Sequence, residues 1–236
     1  MRSTTTKSQV LRGAREGTPF LLIVVPFAML FGVVGTEAGL NLREVMAFSV
    51  LVIAGASQFA AVQLMAESAP TLIVIVTALA VNLRMAMYSA SLAVYLGAAP
   101  FWQRALIAYC NVDQTYAMSV QKYEKEPQMT VSERVAYFFG VALPVFPSWV
   151  LCTYLGAVAG TAIPPEYALD FALPIAFLAI TAPMLRTLAH VAAAIVSVVV
   201  ALTLAGLPAG TGLLLAAAAA MLTGSEVERR FGDRWI

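Results

Sequence analysis

The sequence predicts an all-α membrane protein: a polytopic bundle of about seven to eight transmembrane helices, with some spans broken by proline and a possible internal two-fold repeat. Of the 236 residues, 61% are hydrophobic and only 11% are charged, whereas soluble domains carry about 25% charged residues. Mean hydropathy is +0.84. A soluble chain of this length could not enclose so much apolar surface in one core, so the apolar runs are expected to face lipid.

Charge and cysteine content exclude several other classes of protein. The formal net charge is +1, so no overall basic field indicates binding to nucleic acid. Cys110 and Cys152 lie inside apolar runs and predict neither a disulfide framework nor a metal site. A membrane-embedded enzyme would need a nucleophile with its base or a metal cluster, and the single histidine and scattered carboxylates supply neither. We therefore expect no enzymatic activity and no cofactor.

Eight apolar stretches along the chain have the composition of membrane spans. In order they cover residues 17–39, 45–66, 71–96, 105–120, 135–160, 171–185, 190–207 and 211–223. Proline should break or kink the first, fifth and sixth stretches, at Pro26, Pro144, Pro147, Pro174 and Pro183. Residues 1–16 form a basic leader and residues 226–236 a basic tail, and the positive-inside rule places both in the cytoplasm. An even number of crossings agrees with that placement.

Residues 17–225 are predicted to form a single transmembrane domain with an internal echo. The run PFAMLFGVVGTEAG from Pro26 resembles the run PSWVLCTYLGAVAG from Pro147, and a second weak echo (NLR, then MLR) follows in the same order. Residues 17–100 and 134–207 are therefore candidate homologous halves joined by the fourth span. With the crossings counted above the halves run parallel, and with one fewer they are inverted. The alternative is chance similarity between helices rich in glycine and alanine.

The sharpest functional signal is a charged residue in the third apolar stretch. Arg84 lies near the middle of that stretch, where a charge is costly and a functional role is the default expectation. It could hold a substrate carboxylate or form a switchable ion pair with Asp113. Alternatively, it lies at a helix end and snorkels to the interface. Asn82 fits either an unwound segment facing a cavity or one continuous helix.

Other polar residues at membrane depth complete the candidate substrate site. They are Gln58, Gln63, Tyr88 and Tyr116. Side-chain amides also hold membrane helices together, so the two glutamines could be structural instead. Asp113, the lone acid of its span, could carry a proton or a counter-charge, or form a static salt bridge with Arg84 or Arg104.

Two further candidates for proton transfer or gating lie nearer the C-terminus. Asp170 precedes the sixth apolar stretch and could act in gating, although an N-terminal helix cap is the simpler interpretation. His190, the only histidine, could relay protons or pack as an ordinary imidazole. A single histidine predicts no metal site.

Four runs, taken in order, resemble the AzlC family, which comprises large subunits of branched-chain amino acid exporters and azaleucine-resistance proteins. The runs are AGASQFAAVQLM, NLRMAMYSASL, VDQTYAMS and LDFALPIAFL. The resemblance extends from the GTPF run at Gly17 to about Ile180. One departure is Asp113-Gln114, where many relatives would carry two acids. Asp113 is therefore the only carboxylate at that point.

The resemblance implies a multi-pass permease of the bacterial inner membrane that exports valine, leucine, isoleucine or analogues, coupled to the proton gradient. It also implies a small membrane subunit of the AzlD type as a partner, alongside the lipid bilayer and the amino-acid substrate. Two alternatives are a membrane partner subunit that translocates nothing itself and an exporter of another small zwitterionic metabolite.

Overall fold

A computed structural model describes residues 6–160, 185–207 and 211–232. Every regular element in this part of the chain is helical, which confirms the predicted all-α class. The α-helices are α1 (Thr6–Gly17), α2 (Leu21–Glu37), α3 (Leu42–Leu51), α4 (Gly55–Ala66), α5 (Thr71–Leu96), α6 (Phe101–Tyr109), α7 (Asp113–Lys125), α8 (Val131–Gly160), α9 (Leu188–Thr203) and α10 (Thr211–Phe231).

Three helical stretches among the described residues are long and apolar enough to cross a membrane. They are Thr6–Glu37, which joins α1 to α2 through a 3-10 turn, Thr71–Leu96 and Val131–Gly160. Helix α9 is apolar but shorter. Most of the predicted sixth span, 171–185, lies outside the described residues. The total number of crossings therefore stays a prediction.

Helices α2 and α8 pack closely because glycines lie at their contact. A Cβ atom on Gly32 would clash with the backbone of Thr153 and Ala157, and one on Gly156 would clash with the backbone of Met29. Small residues allow membrane helices to approach until their backbones touch, and dispersion then stabilises the pair. The prolines do not end either helix: both continue through Pro26, Pro144 and Pro147.

The same interface extends along α1, the helix that contains the described part of the basic leader. Gly13 meets the backbone of Tyr137, and the Gln9 side chain is only 2% exposed. Residue numbers rise together along the two helical stretches in contact, from Gly13 with Tyr137 to Gly32 with Thr153. Helices α1 and α2 therefore run parallel to α8. The two echoing proline–glycine runs therefore lie side by side in the same direction, while the repeat itself stays a prediction.

The predicted second and fourth spans are wrong as continuous helices. Three residues separate α3 from α4, and three more separate α6 from α7. At the first break, Gln58 Nε2 donates to the Phe48 carbonyl at 2.9 Å. At the second, the Thr115 hydroxyl accepts a hydrogen bond from the Val112 N–H at 2.9 Å. Such local side-chain bonds give the backbone an alternative to helical pairing.

Both breaks lie against one apolar cluster at mid-length of α8. Val112, from the second break, is buried there with Ala28 of α2 and Trp149 of α8, and Ile53, from the first break, packs against the same cluster. The cluster therefore brings both discontinuous helices to the same level of α8. Discontinuous helices at mid-membrane depth are typical of transporter binding sites.

The chain divides into two compact units. The larger contains Met1–Val62 and Ala78–Pro164, and the smaller contains Gln63–Thr77 and Pro165–Ile236. Within the smaller unit α9 packs against α10. Helix α10 continues to Phe231, beyond the predicted end of the last apolar stretch at residue 223. Its last turns are supported by Glu226, which forms ion pairs with Arg229 and Arg230 one turn away.

Candidate functional site

Arg84 lies near the middle of α5, which is helical without interruption from Thr71 to Leu96. The helix contains neither glycine nor proline, so no residue with a low helix propensity favours a break. Two alternatives from the sequence, an Arg84 at a helix end and an unwound segment around Asn82, are therefore wrong. Arg84 Nη1 is 3.2 Å from Oδ2 of Asp113, and the two side chains are 33% and 45% exposed.

The second helix break positions Asp113. It is the first residue of α7, so its carboxylate lies at the positive end of the helix dipole. The ion pair joins α5 to α7.

A tyrosine pair forms the next layer of the same contact. Tyr88 and Tyr116 follow the ion-pair residues by one turn, and their rings stack with centroids 4.1 Å apart and an interplanar angle of 8°. The Tyr116 hydroxyl donates to Ser91 Oγ at 3.2 Å. The structure thus brings together three predicted substrate-binding residues, Arg84, Tyr88 and Tyr116, with Asp113, which was predicted to act in proton transfer or gating.

Asn111 belongs to the same contact but was not predicted as a site residue. It lies in the break between α6 and α7 and is 4% exposed. Its Nδ2 donates to Ser89 Oγ at 3.2 Å and lies 3.5 Å from the Met85 carbonyl oxygen. The sequence signal was present, since the predicted fourth span is unusually polar, but hydropathy cannot show which of its side chains faces α5.

Four buried atoms in and around this contact have no hydrogen-bond partner among the described residues. They are Asn82 Oδ1, Arg84 Nε, Asn111 Oδ1 and Asp113 Oδ1. Most buried polar atoms in proteins are paired, and leaving one unpaired costs about 1–3 kcal/mol. The contact between α5 and the start of α7, which we call the α5–α7 site, can therefore form further hydrogen bonds with a small polar ligand.

The two predicted glutamines form hydrogen bonds close to their own positions in the chain. Gln58 is fully buried and bonds to the Phe48 carbonyl across the first helix break, as expected of an amide that holds helical segments together. Gln63 donates to Glu67 Oε1 at 2.7 Å, one turn further along. Any contact of these amides with substrate stays a prediction.

The remaining predicted residues lie in the smaller unit or outside the described part. His190 is exposed in the first turn of α9; its Nδ1 accepts a hydrogen bond from the Arg186 N–H at 3.4 Å, and Thr187 caps the helix beneath it. Asp170 lies outside the described residues. Within the described residues, no group of three or more His, Cys, Asp or Glu side chains is placed to hold a metal ion.

A second group of charges, at the far end of α7, was not anticipated. Lys122 Nζ lies 2.9 Å from Glu126 Oε1, and Arg12 lies 3.0 Å from the same carboxylate. Arg12 also pairs with Glu16 at 2.9 Å, and Glu16 accepts a hydrogen bond from the Tyr137 hydroxyl. We call these five residues the α1–α7–α8 charge cluster. The i,i+4 spacing within α1 and at the end of α7 predicts the local pairs, but not the pair between helices.

The charge cluster buries the Lys122 ammonium group and lowers the pKa of the Glu126 carboxyl group. Lys122 is 6% exposed and lies over the Tyr137 ring, 5.4 Å from its centroid. The hydrogen bond from Lys122 lowers the pKa of Glu126, and the positive charges of Lys122 and Arg12 lower it further. Glu126 is therefore held in its charged form between α1 and α7.

Long apolar helices, two discontinuous helices and an ion pair at mid-span together define a polytopic membrane protein with a polar site in its apolar bundle. The chain belongs to the AzlC family, described as AzlC protein, whose pattern matches residues 19–163 and so includes the whole α5–α7 site. The family predicted from sequence is confirmed.

Relatives cover most of the chain. "Inner membrane protein YgaZ" of Escherichia coli (strain K12) is 28% identical over 174 residues, 71% of this chain and 70% of the relative. An "Uncharacterized membrane protein" of Archaeoglobus fulgidus is 31% identical over 206 residues, 86% of this chain and 87% of the relative. A protein of that same description from Helicobacter pylori (strain ATCC 700392 / 26695) is 26% identical over 141 residues, 60% of each chain. No solved structure matches the chain significantly.

Proposed function

We propose that this protein is a permease that exports branched-chain amino acids: valine, leucine, isoleucine or close analogues. The observation that carries the proposal is the Arg84–Asp113 ion pair at the middle of α5, partly exposed and surrounded by unpaired polar atoms. An amino acid at neutral pH carries one carboxylate and one ammonium group. It can therefore give Arg84 a new anion and Asp113 a new cation as it separates them, so neither charge loses its partner.

The tyrosine stack supports a small aliphatic side chain on the substrate. Tyr88 and Tyr116 present ring surfaces one turn from the ion pair, and aromatic surfaces pack well against apolar groups. Membership of the AzlC family supports the same substrate class. A large polar side chain would have no partner at the tyrosine rings.

The proposal includes three further elements. Family resemblance supports a small membrane subunit of the AzlD type and export coupled to protons, and the positive-inside rule supports a cytoplasmic N-terminus. Asp113 is the candidate coupling group, because it is the lone acid of its predicted span. Valine flux that is independent of a proton gradient would exclude the coupling and leave the substrate assignment standing.

Labelled-valine counterflow in liposomes containing both subunits tests the function. Arg84→Ala and Asp113→Asn are each expected to reduce counterflow at least about tenfold, because a hydrogen bond to a charged group contributes about 1.5–3 kcal/mol. Arg104→Ala, at an exposed position on α6, is the matched control and should retain wild-type flux. Undiminished counterflow in both site variants at equal membrane abundance would refute the site.

The same liposomes test the two alternatives. Counterflow by this chain without the small subunit excludes a non-translocating partner subunit. Counterflow of other zwitterions but not of valine, leucine or isoleucine would mean that the protein is a transporter with a different substrate class.

A further inference from the structure

Asn111 is placed where a ligand-binding residue would be and not where a helix needs it. It lies in the break between α6 and α7, two residues before Asp113, and is 4% exposed. The backbone at this break is already capped by Thr115, whose hydroxyl accepts from the Val112 N–H. The Asn111 side chain is therefore not required to cap α7.

The direction of the Asn111 amide follows from its partners. The Met85 backbone oxygen can only accept, so the Asn111 atom that faces it must be the NH2 group. The same NH2 group donates to Ser89 Oγ. Because Met85 and Ser89 flank Arg84 and Tyr88 on α5, the amide lies at the α5–α7 site. Its oxygen has no hydrogen-bond partner among the described residues.

The unpaired atoms of the α5–α7 site have a definite polarity. The oxygens of Asn82, Asn111 and Asp113 are acceptors, and Arg84 Nε is a donor. An amide oxygen two residues from a carboxylate matches an ammonium group, which has three N–H bonds, whereas the lone donor on Arg84 matches a carboxylate.

We infer that Asn111, with Asp113, binds the ammonium group of the substrate while Arg84 binds its carboxylate. This assignment rests on the proposed function and makes it more specific: the transported molecule must carry a free α-ammonium group. An N-acylated amino acid or a 2-oxo acid offers the Arg84 carboxylate contact alone. A secondary ammonium group keeps two of its three N–H bonds and should be bound more weakly.

Competition against labelled-valine counterflow tests the inference in liposomes that contain both subunits. The competitors are unlabelled valine, N-methylvaline, N-acetylvaline and 3-methyl-2-oxobutanoate. For the wild type, N-methylvaline should compete about tenfold less well than valine, as expected for one lost hydrogen bond to a charged donor. N-acetylvaline and the oxo acid should not compete. Equal competition by valine and N-acetylvaline would overturn the inference without any variant.

Asn111→Ala locates the effect. The variant should weaken valine binding about tenfold, and its preference for valine over N-methylvaline should shrink towards equality, because the acceptor that distinguishes them is gone. Ser89→Ala is the matched control: it removes a partner of the Asn111 NH2 group and leaves the Asn111 oxygen in place. It should keep the wild-type preference.

The outcomes separate this inference from the proposed function. A wild type without valine counterflow would overturn both. Wild-type counterflow with an unchanged preference in Asn111→Ala would overturn the inference alone. An equal loss of preference in Ser89→Ala and Asn111→Ala would mean that Asn111 only ties α5 to the helix break, which also overturns it.

Discussion

Arg84 cannot release its charge, because a guanidinium stays protonated in proteins, so its place at the middle of an apolar helix needs lasting compensation. Asp113 supplies an opposite charge at 3.2 Å, but its side chain is 45% exposed. A charge at this depth is costly, and a functional role is the default expectation for it. Because the two side chains are only partly enclosed, a ligand can reach both charges, and exchange with a ligand explains the pair better than a purely structural role.

The stack beneath the ion pair gives a prediction at the same scale. Tyr88→Ala removes an aromatic contact with centroids 4.1 Å apart, of a kind that contributes about 0.5–1.5 kcal/mol beyond its buried area. We expect valine to bind about two- to tenfold more weakly, as measured by the concentration that half-saturates counterflow. Tyr116→Phe keeps the rings and loses only the hydrogen bond to Ser91, so it should stay near wild type. Equal effects of the two substitutions would mean that the tyrosine stack does not contribute to substrate binding.

At the scale of elements, the sequence shows where polarity is costly but not where helices stop. The polarity of Arg84 and Asp113 at membrane depth is visible in the chain itself, so their joint membership of one contact was predictable. The helix breaks were not, because they depend on tertiary contacts. A Cβ on Gly55, the first residue of α4, would meet the rings of Phe27 and Trp149, which come from other helices. The unpaired oxygen of Asn111 could not be predicted either, because it depends on the hydrogen bonds that the Asn111 nitrogen donates to α5.

The contact between α2 and α8 gives a prediction about one element against another. Gly156→Ala would push a methyl group into the backbone of Met29, and overpacking of this kind costs about 1–3 kcal/mol. We expect a lower thermal unfolding temperature in detergent and a lower abundance in membranes. Gly206→Ala is the control, since a Cβ there meets nothing within 4 Å. Unfolding temperatures that match for the two variants would show that α2 and α8 do not depend on this close approach.

At the scale of the molecule, α7 links the α5–α7 site to the charge cluster within the larger unit. Its first residue, Asp113, pairs with Arg84 of α5, while Lys122 and Glu126 at its other end pair with each other and with Arg12 of α1. A substrate that separates Asp113 from Arg84 therefore releases only one end of α7. The other end stays held against α1 and α8, so movement should be greatest at the helix break beside Asp113.

The held end of α7 should respond to acid in a defined direction. The pKa of Glu126 is lowered in the folded protein by the hydrogen bond from Lys122 and by nearby positive charge. Its contribution to stability is therefore complete above the ordinary pKa of a glutamate and is lost as the pH falls through the lowered value. Glu126→Gln should unfold at a lower temperature than wild type between about pH 8 and pH 5, since the buried Lys122 loses its anion, and the gap should close in stronger acid.

Glu124→Gln is the matched control for that measurement, because Glu124 is an exposed carboxylate two residues away. Thermal unfolding in detergent from about pH 8 down to pH 3, followed for wild type and both variants, gives the comparison directly. A gap for Glu126→Gln that persists unchanged in strong acid would mean that the carboxylate acts by shape and not by charge. A gap that closes for Glu126→Gln, with none for Glu124→Gln, would place the ionised Glu126 among the groups that hold α7 to α1. The half of α7 nearest Asp113 would then be the part free to move with substrate.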